Sequence, residues 1–228
     1  MHNNNISHVA FILDGNNRWA KKNNLPKIDG YKRGFENIIK IVDHSLYLKL
    51  SNLTLFTLST ENFNRPSLDV IYEIIYGNFS KLFDNLVNKK NIKINIFGSK
   101  KNLPKKILDI FSKVENINTN NQTLNLNIAF NYGFKDEIKE VLKKFKLNSE
   151  NIDLENSSEI KNLFSLKTIE DPDILIRTGG YKRLSNFIMY NLTYTELFFT
   201  ETLWPEFTSK EFDKIITKFK LINRKYGL

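Results

Sequence analysis

Apolar and polar positions alternate along the chain in blocks that carry two different periods. Short apolar, β-branched runs at Val9–Leu13, Leu53–Leu58, Ile92–Phe97, Leu124–Phe130 and Ile174–Ile176 read as strands, most of them too continuous for a half-exposed face. Between them, stretches near Tyr31–Leu50, Leu68–Lys90, Pro104–Val114 and Lys135–Lys146 read as helices. In Leu68–Lys90 the apolar positions Ile71, Ile74, Ile75, Phe79, Leu82, Phe83 and Leu86 recur at helical spacing. Such a face packs on a core or lines a tunnel for a hydrocarbon, and periodicity alone favours the core. A last helix is expected over Ser209–Lys225, with Ser209 as its cap and Pro205 just upstream. Asn148–Lys167 is polar, with a weak helical pattern at Ile160–Phe164, and reads as a surface excursion. Strands alternating with helices predict one α/β domain over residues 1–228, a mainly parallel central sheet flanked by helices.

Unusual polar residues fall where the strands end. Asp14 follows the first; Ser59-Thr60-Glu61-Asn62-Phe63-Asn64-Arg65-Pro66 follows the second; Asn131-Tyr132-Gly133 and Arg177-Thr178-Gly179-Gly180 follow two others. In a parallel sheet these ends share one edge, so residues distant in sequence converge on one cleft. Gly15 allows a tight turn after Asp14, and the Asn16-Asn17-Arg18-Trp19 run can open a helix whose free N–H groups favour an anion. The alternative is an ordinary strand-to-helix turn in which Asp14 or Asn16 caps the helix. Arg18, Arg65, Arg177 and Arg183 lie close to small or hydroxyl residues, and the guanidinium fork suits phosphate oxygens. Glu196 stands in the apolar run Tyr194–Phe199, where a carboxylate needs an ion pair or a cation. Two carboxylates with phosphate oxygens and water would suit Mg²⁺; a salt bridge from Glu196 to an arginine is the plainer reading.

Composition narrows the chemistry. With no cysteine, disulfides, thiolate metal sites and cysteine nucleophiles are excluded. No apolar run approaches a membrane span and Met1–Ser7 is short and polar, so a cytoplasmic location is expected. The net charge of +9 suits phosphorylated molecules, an acidic membrane surface or nucleic acid, although lysines solvating helix faces would give the same balance. No nucleic-acid module or Walker-type loop is present, and no nucleic-acid partner is expected. His2, His8 and His44 lack metal-ligand spacing; His8 is read as flanking a strand.

Taken together, His8–Ala20, Ser59–Pro66, Leu126–Gly133, Arg177–Gly180 with Arg183–Phe187, and Tyr194–Phe207 ending in Leu-Trp-Pro-Glu-Phe resemble the cis-prenyltransferase family. They stand in the family's order with similar intervals over nearly the whole chain. The resemblance implies condensation of isopentenyl diphosphate onto an allylic diphosphate, typically farnesyl diphosphate, in a homodimer with an apolar tunnel. By that likeness Asp14 and Glu196 would bind Mg²⁺, and Gly15, Asn16, Asn17 and Arg18 would hold the allylic diphosphate, with Trp19 and Phe63 nearby. Asn62, beside Ser59, Thr60 and Glu61, would help orient the acceptor of the released proton. Arg177, Arg183, Leu184 and Ser185 would form the isopentenyl diphosphate site, and Lys27, Tyr31 and Arg65 would complete the substrate contacts. The product, a polyprenyl diphosphate that serves as a cell-wall lipid carrier, implies peripheral membrane contact. A short-chain or irregular synthase and a weakly active subunit of a partner enzyme are the alternatives.

This chain departs from the family pattern at Asn17 for glycine, Lys27 for arginine, and Tyr31 and Lys182 for histidine. Lys225-Tyr226-Gly227 replaces an Arg-any-Gly motif. Lysine keeps the charge without the fork, and a phenol carries no positive charge.

Overall fold

The computed structural model describes residues 5–62, 68–69, 71–77, 91–116, 122–148 and 152–224. Phe63, Arg65, most of the expected Leu68–Lys90 helix and Lys225-Tyr226-Gly227 lie outside the described residues. Six strands form one sheet: β1 (His8–Ile12), β2 (Asn52–Ser59), β3 (Ile92–Phe97), β4 (Leu124–Tyr132), β5 (Ile174–Arg177) and β6 (Glu196–Phe199). Their order is β3-β4-β2-β1-β5-β6, and every pairing is parallel. Helices α1 (Asn16–Lys22), α2 (Lys27–Tyr47), α3 (Lys105–Glu115), α4 (Phe134–Asn148), α5 (Ser157–Asn162) and α6 (Ser209–Lys220) accompany it, and residues 71–77 are also helical.

Parallel strands covered on both faces must be apolar on both. β1 obeys this, with Val9, Ala10, Phe11 and Ile12 all buried. Val9 and Phe11 join the larger cluster with Ile41, Val42, Phe212 and Phe219, whereas Ala10 and Ile12 join a smaller one with Leu175 and Phe187. Trp204 locks α2 to β1: its indole donates to Gly34 O at 2.7 Å, its ring meets Phe11 edge-on, and Asn37 donates to its carbonyl at 2.8 Å. The backbone N–H of Trp204 donates to Asp14 O at 3.0 Å. The Leu-Trp-Pro-Glu-Phe segment therefore fixes the turn that carries Asp14.

Three expectations are corrected. Asn148–Lys167 is more than a surface excursion, because it buries Phe164 and Leu166; two large apolar residues in a polar stretch suffice to dock it. The cap of α6 is Thr208, which accepts from the Glu211 N–H at 3.2 Å, one residue before the expected Ser209, and α6 ends at Lys220 rather than Lys225. α2 begins at Lys27, four residues before the expected Tyr31; its first turn carries one apolar residue, Ile28, followed by Asp29 and Gly30, too little to show a period.

Candidate active site

Asp14 leaves β1 beside β5, and its backbone is held there. Its N–H donates to the buried Thr178 hydroxyl at 3.0 Å, while that hydroxyl lies 2.8 Å from Asp14 O. The next residue, Gly15, has φ of 123°, and a Cβ there would meet Leu203 at 2.9 Å, so only glycine fits the turn. Gly15 is the N-cap of α1 without any side-chain cap bond, which sets aside Asp14 or Asn16 as an ordinary helix cap. The Asp14 carboxylate instead joins two arginines, Arg18 Nη2 at 3.0 Å and Arg177 Nη2 at 2.9 Å. Its side chain remains 28% exposed, so it still faces the cleft.

Arg177 is buried at the end of β5 and spends its other terminal nitrogen on the Arg183 carbonyl and the Ser185 hydroxyl. Its Nε is buried without a partner among the described residues. Ser185 and Asn186, with φ of 51° and 62°, turn the loop so that Ser185 faces Arg177 and the Asn186 amide reaches Glu61 at 2.7 Å. Arg183 Nε donates to Ser185 Oγ at 3.3 Å.

These groups line a polar cleft of about 750 Å³ that includes Asp14, Ser59, Glu61, Asn62, Arg177, Arg183 and Ser185. Beside it is an almost wholly apolar cavity lined by Asn16, Tyr31, Phe35, Leu55, Ile74, Phe111, Phe130 and Trp204. Leu13 and Thr57 line both. Head-group chemistry and hydrocarbon space therefore meet at one wall. Asn16 lines the apolar cavity, its side-chain oxygen buried without a partner among the described residues and packed against Gly34, where a Cβ would come within 2.1 Å.

The remaining expected site residues fall elsewhere. Trp19 donates to Glu206 at 3.2 Å and lines an outer groove with Arg33 and Lys40, because position 19 on α1 faces away from the cleft. Thr60 lines a third groove beside Gly133 and Asp136, Asn17 and Lys27 are exposed outside both chambers, and half-buried Leu184 packs against the smaller core cluster. Glu196 is not brought to Asp14. It is in register with Ile174 at the start of β6, whereas Asp14 lies beyond Ile12, which pairs with Arg177 and through it with Phe199. Three residues at about 3.3 Å each set Glu196 roughly 10 Å behind the level of Ile12 along the sheet, and Asp14 lies two residues further on. Within one chain, Asp14 and Glu196 therefore stand at different levels of the sheet. No cluster of three histidine, aspartate or glutamate ligands occurs among the described residues. Sequence reasoning placed Thr178 at a strand end and Asn186 in a matching segment but gave neither a role, and it passed over Tyr181; the paired glycines before Tyr181 were the available sign of a chain folding back over the site.

A parallel-sheet protein with a cationic cleft beside an apolar cavity has the surfaces to take an anionic head and a hydrocarbon tail side by side. The comparisons carry this further. The family model described as "Putative undecaprenyl diphosphate synthase" matches residues 12–227, and the chain belongs to this prenyltransferase family. It is 40% identical to an isoprenyl transferase of Aquifex pyrophilus, over 96% of this chain and 95% of that one. With an isoprenyl transferase of Thermotoga maritima the identity is 38%, over 96% of each. The crystal structure of lavandulyl diphosphate synthase from Lavandula x intermedia, in complex with dimethylallyl diphosphate, superposes with a TM-score of 0.92 at 27% identity, covering 98% of this chain and 99% of that one. For a probable undecaprenyl diphosphate synthase from Campylobacter jejuni the TM-score is 0.78 at 29% identity, covering 99% and 100%.

Proposed function

We propose that the chain condenses isopentenyl diphosphate with an allylic diphosphate, farnesyl diphosphate being the expected primer, to give a cis-polyprenyl diphosphate. The observation that carries this reading is the shared wall at Leu13 and Thr57, which sets the arginine cleft directly against the apolar cavity. One amphiphilic substrate would place its diphosphate at Arg18 and Asp14 and its tail in the cavity. Arg177, Arg183 and Ser185 would hold the second diphosphate. The allylic carbon–oxygen bond breaks, the isopentenyl double bond attacks that carbon, and a proton leaves; negative charge grows on the departing diphosphate, where fixed cations lower the barrier most. The Asn62 amide is a poor base, so its role would be to orient the proton's acceptor.

Mg²⁺ is proposed as the cofactor. Asp14 fits, because Mg²⁺ typically takes one or two carboxylates and fills its shell with substrate phosphates and water. When bound, the ion would neutralise diphosphate charge beside Arg18. A homodimer is proposed through the open edge of β6, which among the described residues pairs only with β5 and carries exposed Leu197, with exposed Tyr194 just before it in the chain. No helix among the described residues is long and apolar enough to cross a membrane. A polyprenyl product nevertheless calls for peripheral membrane contact, and a role as cell-wall lipid carrier belongs to the same proposal.

The test is incubation of the purified chain with farnesyl diphosphate, labelled isopentenyl diphosphate and Mg²⁺, with product length read by chromatography. Elongated products are expected, and Asp14→Asn should lower kcat by roughly 100-fold, the scale of losing one preorganised electrostatic group. Absence of any extended product in detergent would overturn the reaction, and full activity of Asp14→Asn would overturn the role of Asp14.

A further inference from the structure

Tyr181 lies among the proposed diphosphate ligands without a part in the reaction. Its ring is approached by three guanidinium groups, with Cζ of Arg183 at 4.2 Å from the centroid, Arg18 at 4.7 Å and Arg177 at 5.6 Å. Among the described residues no other ring is shared by more than one cation. The backbone imposes the position. Gly179 and Gly180 have φ of 83° and 82°, and their N–H groups donate to Thr202 O and Thr200 O at 2.8 Å each. A Cβ on Gly179 would stand 2.4 Å from Arg18 Nη2. The two glycines fold the chain back over the site and leave Tyr181 at the apex, 43% exposed.

Three arginines this close repel one another, and the Asp14 carboxylate pairs with only two of them. Arg183 makes no ion pair among the described residues, and its one side-chain bond is the 3.3 Å contact to Ser185. An electron-rich ring face offsets the repulsion by attraction to each cation. The manner of holding matters. Attraction to the ring leaves the charge uncancelled and need not occupy the N–H donors, whereas a carboxylate would consume donors and cancel charge before substrate arrived. Arg177 needs this help least, being held by Asp14, Ser185 and the Arg183 carbonyl. Arg18 and Arg183, on exposed arms, need it most.

We propose that Tyr181 is a positioning residue for diphosphate binding, its ring holding Arg18 and Arg183 beside Arg177 while leaving their N–H groups for phosphate oxygens. The proposal rests on the reading of the cleft as a diphosphate site. It concerns the ring rather than the phenol, so Tyr181→Phe and Tyr181→Leu separate it from a merely structural role.

The experiment is calorimetric titration of the full chain with inorganic pyrophosphate, alongside steady-state kinetics with isopentenyl diphosphate and a thermal melt of each variant. Tyr181→Phe is expected to stay within about 2-fold of the parent. Tyr181→Leu should weaken pyrophosphate binding and raise KM by about 10-fold, with kcat within about 3-fold and the melt unchanged, the scale of two or more exposed cation–π contacts. Equal pyrophosphate affinity in all three proteins, or equal loss in Phe and Leu, would overturn the role of Tyr181. Pyrophosphate binding needs no turnover, so ring-dependent binding by a parent chain that makes no extended product would support the positioning role while overturning the proposed reaction.

Discussion

At position 8 a fully buried histidine opens β1, and both ring nitrogens are committed. Nδ1 lies 2.6 Å from the Glu170 carbonyl, which only accepts, so Nδ1 carries the proton. Nε2 then accepts from the Thr54 hydroxyl at 2.7 Å; Thr54 accepts from the Asn127 amide at 3.3 Å, and Asn127 accepts from Asn95 at 2.9 Å. This chain crosses β1, β2, β4 and β3 with every donor pointing one way, and it requires a neutral imidazole. Burial, opposed by the Glu170 carbonyl and nearby acids, pushes the His8 pKa down to about 4 from 6.5. As pH falls through that window the unfolded chain gains a proton that the folded chain refuses, so stability is full above 6.5 and is lost toward 4. The expected loss is on the order of 3 kcal/mol. Urea unfolding of the parent and His8→Gln between pH 7 and 4 measures it, and identical pH slopes would refute the assignment. Little of this was legible in the sequence, where His8 reads as strand-flanking, since its partners come from three other strands and a distant loop.

Elements were more legible than their neighbours. Five of the six strands and most helices follow from apolar period, because a doubly covered sheet demands continuous apolar runs. β6 escaped, since its four residues sit inside a longer apolar run with no turn signal to bound them. The omission left the place of Glu196 open: its apolar run says that the acid is part buried, and only the register of β6 on β5 puts it level with Ile174. The same strand makes the strongest prediction at this scale. Among the described residues β6 has one free edge, with Leu197 44% exposed and Tyr194, just before the strand, 56% exposed. Leu197→Glu puts a charge on that edge and should shift the chain to monomer in sedimentation velocity while leaving its circular dichroism unchanged. A parent chain that sediments as a monomer, or a variant that dimerises equally well, would exclude β6 as the interface.

At the scale of the whole molecule, the cleft was legible and the chamber beside it only in part. Strand-end polar residues identify the cleft, because topology alone gathers them. The chamber depends on which apolar side chains fail to meet, and no periodicity distinguishes a lined cavity from a filled core. Phe111 on α3 and Phe130 on β4 meet edge-on at 5.2 Å and both line the cavity. If that cavity houses the growing chain, these rings limit its length. Phe111→Ala removes one of them and should yield longer products, while KM for the first condensation is unchanged because the arginines are untouched. The substitution costs about 3–5 kcal/mol of stability by the usual penalty for a buried phenylalanine, and Phe111→Leu, a smaller change in volume, keeps the test available if the alanine variant fails to fold. Chromatography of radiolabelled products from the three proteins decides the matter. An unchanged product distribution alongside a lowered melting temperature would make Phe111 a core residue and move the length limit elsewhere along the chamber.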